Sequence, residues 1–112
     1  MEAKIEEYLQ QFEDVVEKEQ TEEQVKMGND KKMRLFYRGE KLFLVIFEDT
    51  NPLRIEIRCN RVLGKTLRER YESVMAGRAL GRNGTEIICS GQLADDEVID
   101  LVRHSYEISV EE

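Results

Sequence analysis

The chain contains few of the residues that commonly bind metals, and it has no long hydrophobic run. Its 112 residues include two cysteines, one histidine, one proline and no tryptophan. Cys59, Cys89 and His104 make no CxxC spacing, and together they form too small a ligand set for zinc. No hydrophobic run approaches the ~20 residues that a membrane-spanning helix needs. The sequence therefore predicts no metal site and no membrane segment, and it favours buried, reduced thiols for both cysteines.

Motifs of catalysis and cofactor binding are absent too. No GxGxxG, GxxxxGK[ST], GxSxG, HExxH or EF-hand pattern occurs in the sequence. Glu97 and Asp100 stand at the start of a predicted helix, where acidic groups complement the helix dipole. His104 and Ser105 are adjacent in that helix, where neighbouring side chains point about 100° apart and cannot form a catalytic pair. We therefore expect no enzymatic activity and no cofactor.

Charge is distributed unevenly along the chain. The net charge is −7, yet residues 26–92 carry +6 between acidic segments of −7 (residues 1–25) and −6 (residues 93–112). A hydrophobic content of 40% with 37% charged residues is typical of a globular chain, and 112 residues suffice for one self-sufficient domain. The acidic N-terminus lacks the basic-then-apolar layout of a signal peptide, so we expect a cytoplasmic location.

Three consecutive strands between Met33 and Cys59 are the centre of the predicted fold. Gly39-Glu40 joins the first two as a Gly-first hairpin turn. The second strand, Lys41 to Phe47, is apolar on both parities, which predicts that both of its faces are covered. The third strand alternates, and this pattern predicts a core face (Leu53, Ile55, Ile57, Cys59) and a solvent face (Arg54, Glu56, Arg58).

Helices and a second hairpin surround these strands. Apolar residues recur at helical spacing from Lys4 to Glu17, and again after a predicted N-cap at Asn60 as far as Tyr71. A third helix begins at Asp95-Asp96-Glu97. Asn83-Gly84 is typical of a two-residue turn, here between strands predicted at residues 74–80 and 85–89. The polar stretch of residues 19–32 is predicted to be a mobile connector.

The predicted order is α-β-β-β-α-β-β-α in a single domain over residues 1–112. Helices that are separated from runs of hairpin-linked strands indicate the α+β class. The sequence therefore predicts a two-layer domain, in which an antiparallel sheet has its helices packed on one face.

Several segments resemble the MmcQ/YjbR family. The resemblance covers about residues 33–108 and is carried by the hairpin at Arg38 to Phe47, by residues 53–59 and 67–74, and above all by residues 93–106 with their Ser105-Tyr106 pair. It implies an α-β3-α-β2-α fold related to secretion-chaperone-like domains, and DNA binding through two hairpin wings. The chain departs from many relatives at residues 80–86, which contain neither histidine nor an aromatic residue.

The resemblance, together with the charge and apolar patterns, leads to two hypotheses of different class. The first is weak, largely sequence-independent DNA binding through phosphate contacts. Its candidate residues lie on the two hairpins and on one helix: Arg38, Lys41, Arg61, Lys65, Arg68, Arg78 and Arg82. The alternative is a protein-binding or chaperone-like module that uses the open face of the sheet, with Phe43, Val45 and Phe47 as one candidate set and the opposite parity as the other. An apolar sheet face without helices also predicts a homodimer.

Overall fold

The computed structural model of the chain describes residues 1–21, 32–48 and 50–109. The helices within these residues are α1 (Glu2–Leu9), α2 (Arg61–Arg70) and α3 (Asp95–Ile108). The strands are β1 (Val15–Lys18), β2 (Met33–Arg38), β3 (Lys41–Phe47), β4 (Arg54–Arg58), β5 (Val74–Ala76) and β6 (Gly84–Ile88). A 3₁₀ turn, Gly81–Asn83, precedes β6. The predicted α+β class is confirmed, with β1 as an additional strand, whereas most of the predicted connector at residues 19–32 lies outside the described residues.

The six strands form one antiparallel sheet in the order β1-β2-β3-β4-β6-β5. Gly39, in the turn between β2 and β3, has a φ of 61°, a conformation that glycine adopts at little cost. The doubly apolar β3 lies inside the sheet, as its sequence predicts. Glycine at the turn and apolar residues on both parities thus place β3 between β2 and β4.

All three helices pack on the same face of the sheet. Ile5 and Leu9 of α1, Leu67 of α2, and Val98 and Val102 of α3 are buried in one apolar cluster. The strands contribute Leu44, Ile46, Ile55, Ile57 and Ile87 to this cluster. The predicted helix start at Asn60 is confirmed, because its side-chain oxygen accepts a hydrogen bond from the backbone nitrogen of Leu63 at 2.8 Å. Cys59 is buried and Cys89 is half-buried, and both are free thiols.

The first predicted helix is too long. α1 ends at Leu9, and the β-branched pair Val15-Val16 belongs to β1, where it pairs with Arg38 and Tyr37 of β2. Phe12 lies in the link, with its ring 4.3 Å from that of Tyr106 in α3. The apolar spacing continued past Leu9 because Phe12 and Val15 face the same core from an irregular turn and from a strand.

Arg34 of β2 forms ion pairs with both α1 and β1. Its guanidinium donates hydrogen bonds to Glu17 at 2.8 and 2.9 Å, to Glu2 at 2.8 Å, and to Glu6. The hydrogen bonds from Arg34 lower the pKa of the Glu17 carboxyl. Three carboxylates around one cation leave local negative charge on the helix side of the molecule.

A β-bulge separates Phe43 from the rest of its predicted face. The register shifts at this point, because Phe36 pairs with Leu44 while Tyr37 pairs with Leu42. Phe43 is therefore the extra residue, and it turns into the helix-side core, where it is fully buried. The sequence placed Phe43 on one face with Val45 and Phe47, and that grouping is wrong because a bulge reverses the alternation of side chains.

Ser105 of α3 satisfies the backbone groups that the bulge leaves without partners. Its hydroxyl donates to the carbonyl oxygen of Phe43 at 2.5 Å and accepts from the backbone nitrogen of Arg58 at 2.8 Å. The side chain is fully buried. Ser105 thus joins α3 to β3 and β4 where their own ladder has ended.

Ser105→Ala is expected to lower the free energy of unfolding by about 1–3 kcal/mol, because it leaves a buried N–H and a buried C=O unpaired. Chemical denaturation measures the loss. Ser73→Ala is the matched control, since the Ser73 hydroxyl is buried and has no hydrogen-bond partner among the described residues. Equal losses in the two variants would contradict the bridging role of Ser105.

Candidate nucleic-acid interface and the loop around Glu56

Three basic segments meet at one end of the sheet. The guanidinium of Arg58, at the end of β4, donates from Nε to the carbonyl oxygen of Leu42 at 2.6 Å, beside the β2–β3 turn. Arg58 pairs with Gly84 of β6, and the backbone nitrogen of Cys59 donates to the carbonyl oxygen of Asn83 at 3.0 Å. α2 begins at Arg61, three residues after Arg58. We call the basic residues of these segments the hairpin-end cluster: Lys41, Arg58, Arg61 and Arg82.

Most of the hairpin-end cluster is free to contact a ligand. Lys41, Arg61 and Arg82 are exposed, and none of them forms an ion pair with any residue that the structure describes. Arg58 is half-buried, and its Nε is occupied by Leu42, so only the remaining guanidinium nitrogens can reach an anion. Arg58 is not among the candidates predicted from the sequence, although the alternating pattern of its strand predicts an outward side chain.

Arg38 is engaged inside the molecule. Its guanidinium donates to Asp14 at 3.1 Å and to the carbonyl oxygen of Tyr106 at 2.9 Å, and it stacks 4.1 Å from the centre of the Tyr106 ring. A hydrogen bond from the Tyr106 hydroxyl is the main cause of a lowered pKa at Asp14. These contacts hold the link after α1 against α3, so Arg38 has fewer free donors for a phosphate than the sequence suggested.

The other candidates lie outside the cluster. Lys65 follows Arg61 on the exposed side of α2, displaced along its axis by about 6 Å, and its ammonium group lies 3.9 Å from Glu69. Arg68 is exposed about one turn further along. Arg78 is exposed in the loop after β5. The hydrogen bonds of Arg58 and Cys59 bring the segments that carry Lys41, Arg61 and Arg82 to the same end of the sheet. The Arg68 side chain turns back toward that end, because a methyl group on Gly64 would lie 3.1 Å from its Nη1 and 3.6 Å from Cβ of Cys59.

An open groove lies beside the start of α2. It is lined by Asn60, Arg61, Val62, Leu63, Thr66 and His104. The backbone nitrogen of Asn60 donates to Nε2 of His104 at 3.4 Å, so the only histidine contacts a helix start. Val62 is 77% exposed here. His104 therefore links α3 to the start of α2.

Glu56 is the most unexpected side chain in the structure. It lies in the middle of β4 and is only 1% exposed. Its Oε1 accepts hydrogen bonds from the backbone nitrogens of Arg78 at 3.1 Å and Ala79 at 3.2 Å, and its Oε2 accepts from that of Leu80 at 2.6 Å. The predicted solvent position of Glu56 is wrong, because the loop after β5 folds over it.

This loop, residues 77–83, is called the strap below. The predicted Asn83-Gly84 hairpin turn is wrong, because β5 ends at Ala76 and the strap connects it to β6. A methyl group on Gly77 would lie 2.3 Å from Cδ of Glu56, and one on Gly84 would lie 2.6 Å from its Oε2. The backbone can wrap the carboxylate because both positions lack a side chain.

The environment of Glu56 opposes its ionisation. Burial raises the pKa of the Glu56 carboxyl, the three amide donors offset part of that rise, and the charge of Glu86 adds to it. Glu86 stands directly opposite Glu56 on β6. Arg54 and Arg58 lie two residues away on the same face of β4. Within the described part of the chain, the carboxylate is thus held by backbone amides and forms no ion pair.

The strap also covers the helix-free face of the sheet. Leu80 packs with Leu35 and Val45 in a small buried cluster, and half-buried apolar residues surround it: Met33, Tyr37, Leu42, Phe47 and Ala79. Val16, which pairs with Tyr37 at the edge of this face, is 47% exposed. The prediction that both faces of β3 are covered is confirmed, and the cover on this side is the chain's own loop.

Comparison with known proteins adds no assignment. A scan of protein-family models and a search of curated protein sequences each find no match to this chain. Within the described residues, no helix is long and apolar enough to cross a membrane, and no three His, Cys, Asp or Glu side chains gather as metal ligands. The resemblance to the MmcQ/YjbR family stays a prediction.

Proposed function

We propose that this protein binds nucleic acid weakly and without sequence preference, through the hairpin-end cluster. The observation that carries the proposal is the convergence, at one end of the sheet, of three separate segments that together carry four basic residues. The exposed cations of Lys41, Arg61 and Arg82 are suited to phosphate oxygens, which carry no sequence information. The resemblance to the MmcQ/YjbR family supports the same class of ligand.

The distribution of charge supports a low affinity. Acidic residues occupy the outer sides of α1 and α3, among them Glu7, Asp96 and Glu97. The net charge of −7 repels a polyanion from every side except the basic one. We therefore expect binding at physiological salt within the non-specific range of about 10⁻⁴–10⁻⁶ M.

A triple variant tests the location. Lys41→Ala, Arg61→Ala and Arg82→Ala together are expected to reduce the slope of log affinity against log salt from about −3.6 to about −0.9, because each lost phosphate contact removes about 0.9. Fluorescence anisotropy with a labelled DNA duplex, repeated over a range of salt concentrations, measures both slopes.

The control removes the same charge from elsewhere. Lys4→Ala, Arg70→Ala and Arg103→Ala give the same net charge, and Lys4 and Arg103 lie among the acidic groups of α1 and α3. We expect the slope of this control to stay near that of the unchanged protein. A control that loses as much slope as the first variant would show that net charge, and not the hairpin-end cluster, governs binding.

The protein-binding alternative has one observation in its favour. Val16 is exposed at the edge of the helix-free face, beside the half-buried Tyr37. A protein contact there would have to extend beyond Val16, because single exposed apolar side chains are ordinary on monomers. The expected homodimer would use this face, and analytical ultracentrifugation would separate it from a 13.2 kDa monomer.

A further inference from the structure

We propose that the strap is a latched cover that opens as a unit, swinging away from Glu56 and exposing the helix-free apolar face. The latch is the Glu56 carboxylate, and the covered surface is the cluster of Leu35 and Val45 beneath Leu80. Opening requires no change in the sheet itself. Because Arg82 of the hairpin-end cluster lies in the strap, the tests below use the protein without nucleic acid.

The strap is held at few points. Between its ends, its described backbone hydrogen bonds to the sheet are the three from residues 78–80 to Glu56. At the ends, Gly77 donates to the carbonyl oxygen of Gly84 at 2.9 Å, and Asn83 accepts from Cys59. In the middle of the loop, Glu56 thus accepts all three of these hydrogen bonds, and Leu80 adds apolar packing against Leu35 and Val45.

Glycines lie at both boundaries of the strap and within it. Gly77 and Gly84 are at its two boundaries, and Gly81 within it has a φ of +75°, a conformation that other residues rarely adopt. Hinges are a few loop or element-terminal residues that absorb changes in φ and ψ, and they are often small. Rotation at these positions would move residues 78–80 together.

Closing the strap costs free energy, because it buries the carboxylate of Glu56. Closing removes the Glu56 carboxylate from water with no basic side chain as its hydrogen-bond partner, and the raised pKa of the group reflects this desolvation. Opening returns the carboxylate to water, while it exposes Leu35, Val45 and Leu80. We therefore expect opening of the strap to cost less free energy than unfolding of the sheet, as local openings generally do.

Amide hydrogen exchange followed by NMR tests the strap in the unchanged protein. The amides of Arg78, Ala79 and Leu80 are expected to exchange with one shared protection factor, about tenfold or more below that of the amides inside β3, as a locally opening unit does. If these amides exchange only with the global unfolding of the sheet, the strap is no separate cover and the proposal fails. No nucleic acid is present, so this outcome is distinct from a failure of the proposed function.

Glu56→Ala tests the latch. Loss of three hydrogen bonds to a charged acceptor is expected to speed exchange of the three strap amides about 100-fold relative to the amides of β3. Trypsin cleavage after Arg78 and Arg82 should accelerate in parallel. Glu86→Ala is the matched control, because Glu86 is directly opposite on β6 and accepts no strap hydrogen bond. Equal acceleration in the control, or none in Glu56→Ala, would overturn the latch.

Discussion

Phe43→Ala is expected to destabilise the protein by about 3–5 kcal/mol, the range for truncation of a large aromatic side chain in a closed core. Phe43 is fully buried, and its ring meets that of Tyr106 edge-on at 5.7 Å. The loss can be measured as a change in the free energy of unfolding in urea.

Phe47→Ala is the matched comparison on the same strand. Phe47 has the same parity as Phe43 in the sequence, but it is half-buried on the helix-free face. Its truncation is expected to cost only about 1–2 kcal/mol, in proportion to the apolar area that it buries. Losses of equal size would contradict the bulge and return both residues to one face.

The second large effect is expected at Gly77. Gly77→Ala places a methyl group within 2.3 Å of Cδ of Glu56, so either the strap or the carboxylate must move. Overpacking of this kind costs about 1–3 kcal/mol. Because the clash is with the Glu56 side chain, the cost should almost disappear when Gly77→Ala is made in a Glu56→Ala background. A double-mutant cycle from denaturation curves gives this coupling directly.

Gly81→Ala provides the control for that cycle. Nothing lies within 4 Å of the position that its Cβ would take, but its φ of +75° strains any residue with a side chain. The expected cost of about 1 kcal/mol comes from the backbone alone. It should therefore be unchanged by Glu56→Ala. A coupling at Gly81 as large as that at Gly77 would mean that the strap responds as a whole and that no specific clash occurs.

Local patterns determined much of the fold. The apolar run of β3, the Gly-first turn at Gly39 and the cap at Asn60 each depend on residues near in sequence, and the structure has them as predicted. The acidic first turn of α3 is another such case. Fold class follows from these local features because they set the order of helices and strands.

The missed features depend on partners distant in sequence. Val15-Val16 becomes a strand because β2 offers it an edge, and Glu56 becomes buried because the strap, more than twenty residues later, folds over it. A pattern of alternating residues cannot contain that information. The one local indication was the glycine content of residues 77–84, which fits poorly in a strand and is typical of a close backbone approach.

The candidate interface was also predictable only in part, because contacts between residues distant in sequence decide which basic groups are available. Sequence selected the basic residues of the turn, the helix and the second loop, but it could not tell which of them would meet. Arg38 was selected and is engaged by Asp14 and Tyr106, whereas Arg58 was not selected and lies at the centre of the cluster. A sequence shows which residues are charged, but only the structure shows which of them form ion pairs or hydrogen bonds within the molecule.

Binding of duplex DNA by the unchanged protein, measured from 50 mM salt upward, tests the proposed function most directly. Four phosphate contacts at the hairpin-end cluster predict a slope of about −3.6 for log affinity against log salt, with little difference between duplex sequences. Absence of binding at about 50 mM salt, where such electrostatic contacts are strongest, would contradict the proposal and favour a protein partner on the helix-free face.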